Sequence, residues 1–216
     1  METVRFALYL LVALVPSLML HEYAHALTAD RLGDPTARRW GRLTFNPRPL
    51  IDPFGTVILP GLLLILIASG FFVPLFAYTK PMPHDPNYLR NRDRDEVLVQ
   101  LSGPIVSLVL AVAAGIVLRL VTAQELGLFV FAILYVNLIL FVFNLMPVPG
   151  LDGARLLARF LPPRAREVYR NLDQYLALFM LLIFFLLGGL LLGIVSALSG
   201  GLCRLVSGGA GLCGIF

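Results

Sequence analysis

Cysteine is nearly missing from this 216-residue chain: Cys203 and Cys213 are the two, close together in a Gly-rich tail over 201–216. That excludes a disulfide framework and a thiolate zinc site, and leaves a bridge between the two open only if the tail faces an oxidising compartment. Charge is scarce as well. Asp, Glu, Lys and Arg make up 14% of the residues against 58% hydrophobic ones, where a soluble domain carries about 25% charged side chains, so neither a water-soluble globule nor a disordered chain fits. Histidine occurs three times, as His21, His25 and His84. There is no internal repeat, and the net charge of +4 comes from basic residues gathered in connections. It bears on orientation in an anionic bilayer, and no nucleic-acid partner is expected.

What the chain does have is long uncharged runs. Roughly Val4–Ala29, Phe54–Tyr78, Val97–Leu118, Leu126–Met146 and Tyr175–Leu198 are each long enough at helical rise to cross or nearly cross a hydrocarbon layer of about 30 Å. The fold class expected is an all-α polytopic membrane protein, with one domain over 1–200. The first run begins like a signal peptide but passes into His21 without a small-residue cleavage site, and reads as a retained helix.

Basic residues crowd three connections: Arg31, Arg38, Arg39, Arg42 and Arg48; Lys80, Arg90, Arg92 and Arg94; Arg155, Arg159, Arg164, Arg166 and Arg170. Positive charge favours the cytoplasmic side for all three, yet a full crossing by Phe54–Tyr78 would separate the first two. Pro60, Gly61, Gly70 and Pro74 interrupt that segment. It suits a re-entrant element that enters and leaves on one face, with a plain tilted span as the alternative. Thr36–Pro47 mixes Trp, Thr, Leu and Phe with alternating Arg, the pattern of a short interfacial strand or hairpin. Prolines keep Lys80–Pro86 extended.

Inside the first run stands His21-Glu22-Tyr23-Ala24-His25. Spacing of i, i+4 puts both imidazoles on one helix face, a turn apart, where two nitrogens can share one cation. Zinc takes neutral imidazole and keeps a position open for water when only three protein ligands are present. Glu22, beside the ligand face, is where a general base for that water belongs, so the chemistry implied is peptide-bond hydrolysis. A pair of buried histidines bonded to neighbouring helices is the bland alternative; ionisable groups within an apolar span are costly enough to favour the metal site.

Candidates for the third ligand are Asp152, His84, Asp30 and Asp52. Asp152 is best placed, because in Asn144-Leu-Met-Pro-Val-Pro-Gly-Leu-Asp-Gly153 two prolines stop regular helix and two glycines free the backbone. If His25 meets Asp152, the first and fourth runs must point the same way, which makes the same demand on Phe54–Tyr78 as the arginines do. Asn137 and Asn144 form a polar stripe, read either as helix-joining hydrogen bonds or, for Asn144, as a hold on the substrate backbone or developing oxyanion. Gly103, Ser107, Ala111 and Gly115 recur every four residues as a seam for close packing. Pro104 suits a first helical turn.

Taken together, these residues resemble the site-2 protease family of intramembrane zinc metalloproteases, in particular its small compact prokaryotic members. The resemblance rests on His21 to His25, on Asn144 through Leu151-Asp152-Gly153, and on Gly103-Pro104 between them. It extends to Gly33-Asp34-Pro35-Thr36, to Gly41 through Pro47 and to Lys80-Pro81. It implies one Zn2+ per chain on His21, His25 and Asp152, Glu22 as general acid/base, and Asn144 as a substrate or transition-state contact. A three-helix catalytic core is implied from about 4–29, 97–118 and 126–153. Also implied are a small membrane-associated β element, mapped onto Thr36–Pro47 and Lys80–Pro86, where an unwound substrate would add as a strand, and a site near the cytoplasmic side of the cell membrane. The substrate implied is a protein with a transmembrane helix embedded in the lipid bilayer. Ser107 departs from the family's usual Asn, and neither a PDZ nor a CBS module is expected. The competing class is a metal-binding transporter or regulator without hydrolysis, which has no need of Glu22. A third ligand from Glu96, Glu125 or Glu167 has no helical partner motif behind it.

Overall fold

A computed structural model describes residues 2–44, 46, 48–70, 77–80, 82–148 and 151–162, with positions 164, 167, 193, 196–198, 200–202, 204 and 205. Nearly all of the fifth apolar run and both cysteines lie outside these residues. Among the described residues, three helices are long and apolar enough to cross a membrane: α1 (Glu2–Leu32), α4 (Arg92–Leu120) and α5 (Gln124–Asn144). Shorter helices are α2 (Thr36–Arg39), α3 (Leu59–Ala68), which continues a π-helical stretch Pro53–Ile58, and α6 (Asp152–Phe160). The chain is thus an all-α polytopic membrane protein.

Contacts along the three long helices fix their directions. Near the start of both α1 and α5, Arg5 Nη1 and Tyr9 Oη each donate to the Glu125 carboxylate at 2.9 Å. Midway, Asn137 Nδ2 donates to Ser17 Oγ at 2.9 Å. Farther along, His21 of α1 meets Asp152, which follows the end of α5. α1 and α5 therefore run parallel. α4 runs against them, since Val99 lies beside His25 and Leu118 packs with Val130 and Phe131 in one cluster that Phe6 also joins. Apolar burial has little driving force between helices in lipid, so close approach matters more. The seam of α4 supplies it: Gly103, Ser107, Ala111 and Gly115 are all buried, and Ala111 and Ala114 admit the fully buried Phe131, Leu134 and Leu138 of α5.

Segment 33–91 leaves α1 and enters α4 at the same end of this bundle. Its two flanks also meet each other: Tyr78 N–H donates to the Gly55 carbonyl at 3.1 Å and Lys80 N–H to that of Leu50 at 2.9 Å. The helix between them, Pro53–Ala68, is shorter than the three spans.

Two local expectations are corrected. The strand sought on 36–47 does not occur among its described residues, nor does any strand among the described residues elsewhere; 36–39 is the helix α2, followed by turns and bends over 40–44. Asp34 Oδ1 accepts the Thr36 N–H at 2.9 Å together with the Thr36 hydroxyl, and Pro35 at φ −82° is already near helical φ. That turn, closed by the Asp34 side chain two residues back, leads the chain into helix against the β preference of the residues after it. Segments 77–80 and 82–85 are extended without strand pairing. Pro104 also lies in the interior of α4, not its first turn, because Asn91 caps the helix by accepting the Arg94 N–H, while Asp95 accepts the Asn91 N–H.

Candidate metal centre

The i, i+4 spacing acts on α1 as helical geometry requires: the His21 and His25 rings are 4.9 Å apart, both buried. Asp152 joins them from the first turn of α6, where the helix N-terminus favours a carboxylate. Its Oδ2 is 3.0 Å from His21 Nε2 and 3.3 Å from His25 Nε2. Gly153 makes that position reachable. A Cβ there would overlap the Leu145 carbonyl and come within 2.6 Å of the Met146 oxygen, so only glycine lets α6 start tight against the end of α5.

Behind the rings, α4 orients both. His25 Nδ1 lies 2.7 Å from the Val99 carbonyl; a carbonyl only accepts, so Nδ1 carries the proton and Nε2 keeps its lone pair. His21 Nδ1 lies 2.9 Å from the fully buried Ser107 Oγ. Ser102 Oγ donates to the same Val99 carbonyl at 2.6 Å.

The donor set fits a metal ion. The three ligand-type atoms lie within 4.8 Å of one another, and His25 Nε2 is buried without a hydrogen bond. Two donors each about 2.0–2.1 Å from one tetrahedral ion stand about 3.3 Å apart, close to the two N···O separations here. The space beside them is kept free by Gly103, where a Cβ would stand 2.5 Å from His21 Nε2 and overlap His25 Nε2 as well. Two imidazoles and a carboxylate, each ring backed through its second nitrogen, are the ligand type of a catalytic zinc site with one open position.

Glu22 is half-buried beside the cluster, and its Oε2 accepts the Met82 N–H at 3.0 Å. The other candidate ligands are engaged elsewhere. His84 Nδ1 donates to Asp34 at 3.0 Å, Asp30 pairs with Arg38 at 2.5 Å, and Asp52 caps Pro53–Ile58 through the amides of Phe54 and Gly55. Glu125 sits at the opposite end of the bundle with Arg5. Asn144 Nδ2 donates to the Leu140 carbonyl of its own helix at 2.9 Å, with no hydrogen bond to the cluster among the described contacts. Sequence reasoning missed Val99, Gly103, Ser107 and Met82. The first three share one face of α4 at helical spacing, but that pattern reads equally well as a packing seam.

Residues 119–187 match the model of peptidase family M50. The chain is 35% identical over 186 residues to the "Putative zinc metalloprotease YwhC" of Bacillus subtilis, an alignment spanning 82% of this chain and 80% of that one. It is 32% identical over 174 residues to the "Putative zinc metalloprotease Rip2" of Mycobacterium tuberculosis, where it covers 78% of this chain and 63% of the relative. The Rip2 of Mycolicibacterium smegmatis is 31% identical over 165 residues, covering 74% and 60%. No solved structure matches the chain. With four-fifths of YwhC covered at that identity, on three apolar helices that bring two histidines and an aspartate together, the chain belongs to peptidase family M50, the site-2 proteases.

Proposed function

We propose that the chain is a zinc endopeptidase that hydrolyses peptide bonds of transmembrane segments within the bilayer, with His21, His25 and Asp152 holding one zinc ion. The observation that carries this reading is the convergence of those three side chains, from the buried part of a membrane-length helix and the start of α6, around a space that Gly103 leaves free. Zinc there supplies a Lewis acid that brings the pKa of water toward about 7. His21 and His25 offer Nε2 because Ser107 and Val99 engage their Nδ1 atoms. Glu22 removes the proton of the attacking water and returns it to the leaving amine. Asn144 holds the substrate backbone or the developing oxyanion, exchanging its Leu140 contact for the substrate. Backbone carbonyls of an intact helix are hydrogen-bonded, so substrates are helices with segments that unwind.

The site end of the bundle faces the cytoplasm of the cell in this proposal, supported by the exposed Arg31 in the last turn of α1 and Arg38, Arg39 and Arg48 in the segment after it. Phe54–Tyr78 enters and leaves on that face, supported by the pairing of its flanks and by the directions of α1 and α4. A purely metal-binding role has no use for a carboxylate held beside the ligands.

The test compares zinc stoichiometry and cleavage of a membrane-embedded substrate helix by wild type, Glu22→Gln, Asp152→Ala and His84→Ala proteins. Glu22→Gln should keep its metal and lose turnover, Asp152→Ala should lose both, and His84→Ala, whose ring lies outside the ligand set, should keep its metal. Cleavage by Glu22→Gln at the wild-type rate refutes the assignment.

A further inference from the structure

Segment 82–90 is tied to the C-terminal half of α1 and the turn after it at four places. Met82 N–H donates to Glu22 Oε2 at 3.0 Å. His84 Nδ1 and Asp85 N–H donate to Asp34 Oδ2 at 3.0 and 2.8 Å. Arg90 N–H donates to the Leu32 carbonyl at 3.2 Å. Gly33, at φ 114°, lies so close to Tyr88 that a Cβ would stand 3.0 Å from its carbonyl oxygen. The strongest of these holds is Asp34, which is 1% exposed. A buried carboxylate is costly unless its oxygens are bonded, and here Oδ1 takes the Thr36 amide and hydroxyl while Oδ2 takes His84 and Asp85. Burial would push this carboxyl up; the hydrogen bonds from Thr36, Asp85 and His84 outweigh it and keep the group ionised.

The grip on His84 and Asp85 reaches Met82 through a stiff link. Pro83 and Pro86 fix their own φ, and Met82 and Asp85 before them are held extended, so between Met82 and Asp85 the backbone of His84 alone is not restricted by a proline, and its ring is held by Asp34. The amide of Met82 is the hydrogen-bond donor that the structure records on the Glu22 carboxylate.

We propose that Asp34 is a positioning residue for Glu22: by gripping His84 and Asp85 it sets the place of the Met82 amide, which aims the Glu22 carboxylate. This deepens the reading of Glu22 as general acid/base and rests on it. Asp34 touches neither the metal ligands nor the scissile bond, so its removal should act on turnover and leave the metal in place. Asp34→Asn keeps the side chain's shape and the Thr36 side of the contact. Met82→Pro deletes the amide donor together with the side chain, and Met82→Ala, which keeps the amide, is the control for loss of the side chain and should leave kcat near wild type.

Full-length protein is reconstituted in liposomes with a reporter transmembrane helix weakened by a Gly-Pro pair, and kcat, KM and bound zinc are measured for each variant. Asp34→Asn and Met82→Pro should each lower kcat about 10- to 100-fold, with KM within about twofold and zinc content unchanged. Because both changes break one chain of contacts, the double variant should be no slower than the slower single one. Wild-type kcat in either variant, loss of zinc, or losses that multiply in the double variant overturn the proposal. Glu22→Gln, run alongside, separates the two levels. A dead Glu22→Gln with fully active Asp34→Asn and Met82→Pro sinks the positioning role alone, whereas an active Glu22→Gln sinks the reading beneath it.

Discussion

Replacing Gly103 by alanine adds one methyl group at the most crowded point of the candidate metal centre. The new Cβ would sit 2.5 Å from His21 Nε2 and overlap His25 Nε2, where carbon and nitrogen in contact need about 3.5 Å. Relief therefore requires a shift of about 1 Å. The rings cannot simply retreat, since His21 Nδ1 is held by Ser107 and His25 Nδ1 by Val99, both on the helix that carries the new methyl. Disturbing groups that merely support metal ligands costs about 10- to 100-fold in affinity; displacing two ligand atoms should cost at least about 100-fold, and cleavage should fall with it. Helix propensity points the other way, because alanine in a helix interior is favoured over glycine by about 1 kcal/mol. Overpacking of the two held rings costs about 1–3 kcal/mol, so the metal-free Gly103→Ala protein should melt at or a few degrees below the metal-free wild type, far less of an effect than that on zinc. Zinc affinity from chelator competition and melting followed by circular dichroism in detergent separate the two effects. Gly61→Ala, in α3 with open space around it, is the control and should bind zinc normally. A Gly103→Ala protein with zinc affinity within about threefold of wild type would show that the glycine leaves room for nothing.

Ser107→Ala removes the group at 2.9 Å from His21 Nδ1 in a fully buried place, and should weaken zinc binding about tenfold; unchanged affinity in chelator competition contradicts the supporting role. Asp34 bears on acid stability. Its folded carboxyl lies below the unfolded value of 3.8, so its contribution is complete above that pH and drains away as pH falls through the folded value. The melting-temperature gap between wild type and Asp34→Asn should narrow from pH 7 to pH 3, and a constant gap rejects the linkage. Cysteines placed at Trp40 and Tyr88, which are 66% and 49% exposed, in a background lacking the native pair, should both react with an impermeant reagent from the cytoplasmic face; labelling from opposite faces ends the re-entrant proposal.

The sequence showed best what local periodicity controls. His21 and His25 must share a face once α1 is helical, and an Asp between glycines after two prolines has few other duties, so the cluster was readable before any coordinates. The same holds for α1, α4 and α5, whose apolar runs lie within the helices except that the fourth run reaches two residues past α5, to Met146. Gly103 and Ser107 stayed hidden because a small residue on a helix face looks alike whether its neighbour is a helix or an imidazole. The helix α2 was misread for a different reason. Its residues have β-type side chains close behind them, while the deciding interaction, Asp34 with Thr36, takes place before the pattern begins. Asp34 itself, two residues past α1, was legible only as part of a motif, since its partners His84 and Asp85 are fifty residues away in sequence.

The division of labour around the two imidazoles has one more consequence. Both outer nitrogens rest on a helix that contributes no ligand of its own, so sliding α4 along its axis by a single residue, about 1.5 Å, would withdraw the carbonyl and the hydroxyl together and drive a bulkier neighbour into the gap. Pro104 sits amid these three, and without an N–H it cannot take up the Gln100 carbonyl. Longitudinal register of one rod is thus a dial on how well the two imidazoles are aimed at the space between them, turned without exchanging either ring.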